Sequence, residues 1–438
     1  MKAIKDIQKN IHSALYTEFP GNSSSPGSLP RRVPERGLYP NTFQNAYNSI
    51  GLQAKVVSIF LMLTLIANIA FSQTATAGAK YLAVVDSGSS GSRLYLFELT
   101  HENNRPKVKE IELKNNTVEP GLYSLSKAPD RIGEYFKPLL KSLKAGMVSV
   151  GLKSDQISFY VFSTAGMRIA SPLERERLYK ILKNYIESEK FNFVDVRMIK
   201  GHFEGLFAWI TVNYLMHGFT KNVESFGVLD MGGGSTQIAF ETGKIGLDIY
   251  PVKIGSKTYD IYSKSYLGLG MDFAKYQFSN APACWPTGYP LPSSDTKAVA
   301  DFARGVHEIS VLIDFIHRVN ATVIPKIADN MEFIGISGFY NILTAKALNL
   351  GSIFSINDIQ TAGTNLSKLT WDELVQKYPN DPYLYSYLLN LELYAALLQY
   401  GYNFKQDKKI KAYGKINGVS VNWALGAAIY LLEGNPIN

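Results

Sequence analysis

Two short segments of this chain set chemically capable residues in one arrangement. Asp86-Ser-Gly-Ser-Ser-Gly-Ser-Arg93 and Asp230-Met-Gly-Gly-Gly-Ser-Thr-Gln237 each put an aspartate after a hydrophobic run and ahead of a Gly/Ser-rich turn. Glycine permits tight turns and close ligand approach, while successive backbone N–H groups and serine hydroxyls can surround phosphate oxygens. The aspartates suit a hydrated divalent cation, magnesium or calcium rather than zinc, because hard cations take oxygen ligands. Neither segment is a Walker motif, since the Gly-Lys-Ser/Thr ending is missing, and neither has the dinucleotide-binding spacing. A solitary copy also fits a surface hairpin; the matched pair points to a cleft between two phosphate-gripping turns.

Between the two lies Ile157-Ser-Phe-Tyr-Val-Phe-Ser-Thr164, strand-like and ending in Ala165-Gly-Met-Arg168, which sets an anion-contacting arginine beside a small-residue turn. Glu204, in Gly201-His-Phe-Glu-Gly205, stands at the start of a long apolar, helix-compatible segment. Such a carboxylate either caps the helix or activates water as a general base, the second role requiring a position between the two loops. His202 is a weak metal ligand, because the six histidines form no close ligand motif.

The elements that must position these residues can be read around them. Lys80–Asp86 and Arg93–Glu98 read as two strands of a hairpin, and Ser225–Asp230 and Gln237–Glu241 repeat strand, acidic turn and strand, which suggests internal duplication. Pro172 and Glu174 open a helix expected to run through Phe191. Val421–Leu432 reads as a packed helix too short to span a membrane.

With 438 residues and 46% hydrophobic composition, the chain can bury a large core divided into two lobes. Half of its net charge of +8 lies in residues 1–55, where seven Lys/Arg face three Asp/Glu, so the remainder is not basic enough to imply binding of a nucleic-acid polymer. Residues 1–54, with Pro20-Gly-Asn-Ser-Ser-Ser-Pro-Gly-Ser-Leu-Pro30, read as a flexible prefix. Residues 55–78 comprise Lys55, an apolar run over 56–71 and a small-residue tail, the order of an export signal. Cleavage near Ala77 releases the enzyme to a secreted, periplasmic or secretory-lumen location, whereas an uncut run serves as a single membrane anchor. Both outcomes stay open. One cysteine, Cys284, excludes an internal disulfide.

The chain resembles the apyrases, or nucleoside triphosphate diphosphohydrolases. Five ordered regions carry the resemblance: 86–93, Ser163-Thr-Ala-Gly-Met-Arg168, 201–205 with Trp209–Leu215, 230–237, and Trp423-Ala-Leu-Gly426. Ser87 and Gly234 stand where that family often has alanine. The resemblance implies an α/β, two-lobed actin/Hsp70/hexokinase-like (ribonuclease H-like) fold, with lobe I over 79–200, lobe II over 201–405, and a C-terminal segment, 406–438, returning to lobe I. It implies cation-dependent hydrolysis of nucleoside triphosphates and diphosphates to monophosphates, with Mg²⁺ or Ca²⁺. Glu204 would be the general base and Gln237 would lie near the attacking water. Ser89, Ser90, Gly91 and Ser92 would form the first phosphate loop, Gly232, Gly233, Gly234 and Ser235 the second, and Thr164 and Ala165 would line the phosphate path. Asp86 and Asp230 would organise the metal through water. Tyr340, in Phe333-Ile-Gly-Ile-Ser-Gly-Phe-Tyr-Asn341, and Tyr402 are the candidate base-stacking rings, each with packing as its other reading. An exopolyphosphatase or guanosine pentaphosphate phosphatase is the enzymatic alternative, and a nucleotide-gated interaction protein the non-enzymatic one.

Overall fold

Strand β1 (Lys80–Ser87) is buried along almost its whole length, as befits the centre of a sheet covered on both faces. It forms an antiparallel hairpin with β2 (Ser92–Glu102), which continues into β3 (Arg105–Ile111), while the short β4 (Thr117–Val118) pairs with the start of β2. After helix α1 (Ile132–Ser149), β5 (Ile157–Ser163) runs parallel to β1. The short α2 (Ala165–Arg168) and α3 (Pro172–Glu187) then lead to β6 (Phe193–Met198), parallel to β5. Helix α3 starts as expected, with Ser171 and Glu174 forming a capping box and Pro172 in the first turn, but ends at Glu187, short of Phe191. The structure, a computed structural model, describes residues 78–220, 223–291, 316 and 324–437; the prefix and the apolar run through residue 77 lie outside them.

Helix α4 (Gly201–His217) leads into the second half. Strands β7 (Gly227–Met231) and β8 (Ser235–Glu241) form a hairpin extended by β9 (Ile249–Ile254) and β10 (Lys257–Leu267), and α5 (Met271–Gln277) follows. Strand β11 (Phe333–Ser337) is parallel to β7 and is followed by α6 (Gly338–Leu343). Beyond them come β12 (Ile353–Phe354), α7 (Ile356–Leu366), α8 (Trp371–Lys377) and α9 (Tyr387–Ala396), which runs into a π turn at Leu397–Gly401. The chain ends with β13 (Ile410–Ala412), the small hairpin of β14 (Lys415–Ile416) and β15 (Val419–Ser420), and α10 (Trp423–Leu432).

The duplication expected from sequence is visible in strand order. The first sheet runs β3-β2-β1-β5-β6 and the second contains β10-β8-β7-β11-β13, flanked by β9 and β12. The registers also correspond: Asp86 faces Arg93 across its hairpin and Asp230 faces Gln237. The expected return of 406–438 to lobe I needs correction, because β13 remains in the second sheet beside β11.

Helices α4 and α10 pack together as a layer between the two sheets. Phe207, Trp209, Trp423 and Ile429 bury themselves with Leu82, Val84 and Phe97 of one sheet and Val228, Ala239 and Ile261 of the other. Helix α4 is apolar around its whole circumference, as a helix covered on all sides must be. The outer face of the first sheet, with Ala83, Val85, Leu94 and Leu96, is covered by α1 and α3. Because side chains alternate along a strand, Asp86 shares the inner face with Leu82 and Val84, and Asp230 shares it with Val228. Both aspartates therefore point into the inter-sheet layer at the strand ends.

The basic run Lys405–Lys411 is a locally neutralised surface, with Lys405 on Asp329 at 3.1 Å, Lys409 on Asp358 at 2.7 Å and Lys411 on Glu332 at 2.5 Å. Among the described residues no helix is long and apolar enough to cross a membrane. Helices α4 and α10 meet through Gly426, whose amide donates to Thr211 Oγ1 at 2.8 Å and where a Cβ would collide with the Phe207 carbonyl. Gly426→Val should therefore cost about 1–3 kcal/mol or more by overpacking. It should lower the urea midpoint, and an unchanged midpoint would contradict this close approach.

Candidate active site

The two loops close with the same hydrogen bond. Gly88 N donates to Gly91 O at 2.9 Å, and Gly232 N donates to Ser235 O at 2.9 Å. In the second loop the glycine carbonyls are drawn back into lobe II. Gly232 O accepts from Met271 N at 3.0 Å, Gly233 O from Asp272 N at 2.9 Å and Phe273 N at 3.1 Å, and Gly234 O from Gly268 N at 2.9 Å. In a planar trans peptide the N–H points opposite to the carbonyl, so the amides of Gly233 and Gly234 face away from α5. Helix α5 thus fixes the loop from behind and leaves donors on its other side.

The loops approach one another closely. A Cβ on Gly233 would strike the Asp272 carboxylate and lie 2.6 Å from Ser89 Oγ, and one on Gly234 would lie 2.9 Å from Ala165 Cβ. Gly166 is similarly confined, at 3.2 Å from Ser89 Cα. At these distances an added Cβ would force its neighbours to shift, so glycine serves here for close approach rather than for turn angle. Thr164 and Ala165 are buried beside this junction, with Thr164 N on Ser87 O at 3.1 Å. Ser90 is exposed at the tip, Ser89 and Gly91 are half-buried, and Ser235 is buried.

Three carboxylates share the space where the strands end. Asp86 is pushed up to about 8, first by burial and then by the negative charges of Glu204 and Asp230, against the opposing pull of Arg93. Asp230 rises to about 6 through burial, restrained by hydrogen bonds from the Ser337 side chain and the Met231 amide. Glu204, in the first turn of α4, is likewise raised by burial and held down by Arg168, with which it forms an ion pair. Arg168 is itself fixed by a 3.1 Å bond to Ile199 O. Lys200 is the helix N-cap residue and Glu204 is bound to Arg168, so the capping reading of Glu204 gives way to an ion-paired acid in the cleft. Gln237 is buried against the same helix, where a Cβ on Gly205 would lie 3.6 Å from its own Cβ, and its amide nitrogen donates to Ser235 Oγ at 2.8 Å and Ser265 Oγ at 2.9 Å.

Among the described residues no three His, Cys, Asp or Glu side chains are grouped for direct ligation of a metal. Three buried carboxylates nevertheless fit a cation held through its waters, because a positive charge would offset the cost of ionising them there. His202 takes no part: its ring stacks on Tyr250 at 4.1 Å, and burial lowers it to about 4, leaving it neutral.

Two expected site residues face elsewhere. Ser92 is fully buried, its hydroxyl engaged by Ser87 Oγ and Tyr135 OH, each at 3.0 Å, so it lies beneath the first loop and is not available to phosphate. Tyr402 is 1% exposed, its ring packed against Tyr266 and Phe404, and so offers no open face to a base. Tyr340, on α6, is 36% exposed and keeps an accessible ring above Gly414. Sequence reasoning did not find Ser265, Tyr135 or the role of α5. Ser337 lay within a noticed segment, but nothing marked its contact with Asp230 or its positive φ of 54°.

An α/β molecule of two matched halves with an acidic, glycine-lined cleft belongs to the two-lobed actin/Hsp70/hexokinase-like class. Its fold is similar to that of the Aquifex aeolicus member of the Ppx/GppA family, with a TM-score of 0.52, 16% identity, and coverage of 82% of this chain and 99% of that one. It is also similar to nucleoside triphosphate hydrolases from Neospora caninum, with a TM-score of 0.53, 15% identity, and coverage of 87% and 97%. The chain belongs to the GDA1/CD39 (nucleoside phosphatase) family, which it matches over residues 72–282 and 318–438. Relatives include ectonucleoside triphosphate diphosphohydrolase 2 of Gallus gallus, 28% identical over 82% of this chain and 84% of its own. The guanosine-diphosphatase of Schizosaccharomyces pombe is 25% identical over 81% and 74%.

The carboxylate cluster has a consequence for stability. The folded state binds the Asp86 proton more tightly than an ordinary aspartate does, so this group's contribution to stability is full at low pH and is lost as pH rises from about 3.8 towards about 8. In EDTA, Asp86→Asn should gain thermal midpoint over the wild type progressively across that window. A difference that does not vary with pH would contradict it.

Proposed function

We propose that this cleft hydrolyses the terminal phosphoryl group of nucleoside triphosphates and diphosphates, ending at the monophosphate. The observation that carries the reading is the second loop's set of glycine carbonyls bonded back into the protein, together with the burial of Glu204 and Gln237. Glu204 accepts a proton from the attacking water. Burial raises its affinity for a proton above that of an ordinary glutamate and Arg168 restrains the rise, the direction a general base needs. Both recorded bonds of the Gln237 amide nitrogen go to serines, so its carbonyl oxygen is the atom that can accept the water's other O–H. The amides of Gly233 and Gly234, with Ser89 and Ser90 opposite, donate to the transferring phosphoryl oxygens as charge builds up on them. Ser235 holds Gln237, and Thr164 and Ala165 form the wall between the loops.

Asp86 and Asp230 would hold Mg²⁺ or Ca²⁺ through water, and the bound ion would neutralise phosphate charge. Tyr340 supplies one exposed aromatic face for the base, and a single ring face does not select among bases. The relatives' names include ecto-enzymes, which supports export through residues 55–77 to a secreted, periplasmic or lumenal location.

The test is phosphate and nucleotide release from ATP, ADP and polyphosphate with Mg²⁺ or Ca²⁺ and with EDTA. Cation-dependent conversion of ATP and ADP to AMP is expected, and turnover of polyphosphate alone would overturn the nucleotide reading. Glu204→Gln should lower kcat by about 10²–10⁴-fold while nucleotide binding persists, the usual range for loss of a general base. Unchanged turnover would remove Glu204 from that role.

A further inference from the structure

The residue that follows each loop carries a buried hydroxyl, and in both lobes that hydroxyl meets a tyrosine. Ser92 and Thr236 occupy corresponding positions, Ser92 paired across its hairpin with Ser87 and Thr236 with Met231, and both are fully buried. Ser92 Oγ lies 3.0 Å from Tyr135 OH, on α1. Thr236 Oγ1 lies 3.3 Å from Tyr402 OH, on the residue that caps the π turn after α9. The two tyrosines come from unrelated parts of the two halves, yet they reach the same point of the repeated hairpin.

The direction of each bond follows from the proton count. Tyr135 donates its one proton to Pro120 O at 2.7 Å, so it accepts from Ser92, which in turn accepts from Ser87. Thr236 donates to Asp230 O at 2.7 Å, so the proton between it and Tyr402 is the tyrosine's. In lobe I the chain ends on the segment that supports the first loop: a Cβ on Gly121 would lie 2.7 Å from Gly88 O, and one on Gly91 would lie 2.8 Å from Val118 O. In lobe II it ends on the backbone of Asp230 itself.

We propose that Tyr135 and Tyr402 are equivalent positioning residues, hydroxyl struts that hold the first and second loops in register with the cleft. The proposal rests on reading those loops as phosphate-binding, and it gives Tyr402 a role beneath the site in place of base stacking. Phenylalanine would fill the same space but remove the donor to Pro120 O in lobe I and the proton given to Thr236 in lobe II, so the hydroxyl link between each hairpin and its support would be lost. The effect passes to catalysis through placement, since a small displacement of donors around a transferring group is costly in rate.

The test compares Tyr135→Phe and Tyr402→Phe with the wild-type full chain in two measurements. Exchange of the loop-closing amide should accelerate at Gly88 in the first variant and at Gly232 in the second, each without change in the other loop. For ADP with Mg²⁺, kcat should fall about tenfold with KM moved less than twofold, as expected for transition-state placement. Unchanged exchange at both loops, uniform acceleration throughout the protein, or loss confined to KM would overturn the proposal. If the wild type turns over no nucleotide, the phosphatase reading fails while the exchange pattern still decides the struts. If either variant does not fold, Ser92→Ala or Thr236→Val cuts the same contact from the other side and is held to the same outcomes.

Discussion

Asp86, Asp230 and Glu204 are held where burial disfavours the ionisation of each and neighbouring carboxylates add to it for Asp86 and Glu204, and the architecture around them is what makes that tolerable. Solvated carboxylates would not be forced together, and here they converge because three rigid elements end at one place. Strands β1 and β7 bring one aspartate each to the inner face of a sheet, and the first turn of α4 brings the glutamate. The charge available to offset them comes from Arg168 on Glu204 and Arg93 across from Asp86, which leaves the cleft prepared for a cation and a phosphate.

The rigidity of that convergence derives from the helix layer. Phe207 packs on Trp423 at 6.0 Å and on Tyr430 at 5.3 Å, and the Gly426 contact lets the two backbones approach. The second-lobe strands pack on the same layer as the first-lobe strands, so the loops at the strand ends are positioned relative to one another by a single core. The two halves repeat a topology but divide the work differently. Where Arg93 faces Asp86 in lobe I, Gln237 faces Asp230 in lobe II, one adjusting charge and the other available to orient a water.

Much of the fold and of the site was legible in the chain, for particular reasons. The apolar runs Lys80–Asp86 and Ser225–Asp230, each ending at a Gly/Ser-rich turn, specified hairpins, and the capping box at Ser171 with Pro172 specified the start of α3. That Ser92 faces away from the cleft was not legible, because spacing along a loop does not say which side of it a hydroxyl faces, and of the two readings open for Tyr402 its burial decides for packing. Strand β13 was assigned to the returning segment because three residues carry too little periodicity to reveal their sheet.

The sequence by itself determined the repeated acid-and-glycine hairpins, the apolar helices and the residue types of a phosphate cleft, because these depend on period, turn chemistry and local steric freedom. Only the tertiary structure decided that Glu204 meets Arg168, that Ser337 supports Asp230, and that Tyr135 and Tyr402 stand under the loops. Each of those contacts joins segments distant in the chain, and their pairing is set by which faces the common core leaves pointing into the cleft.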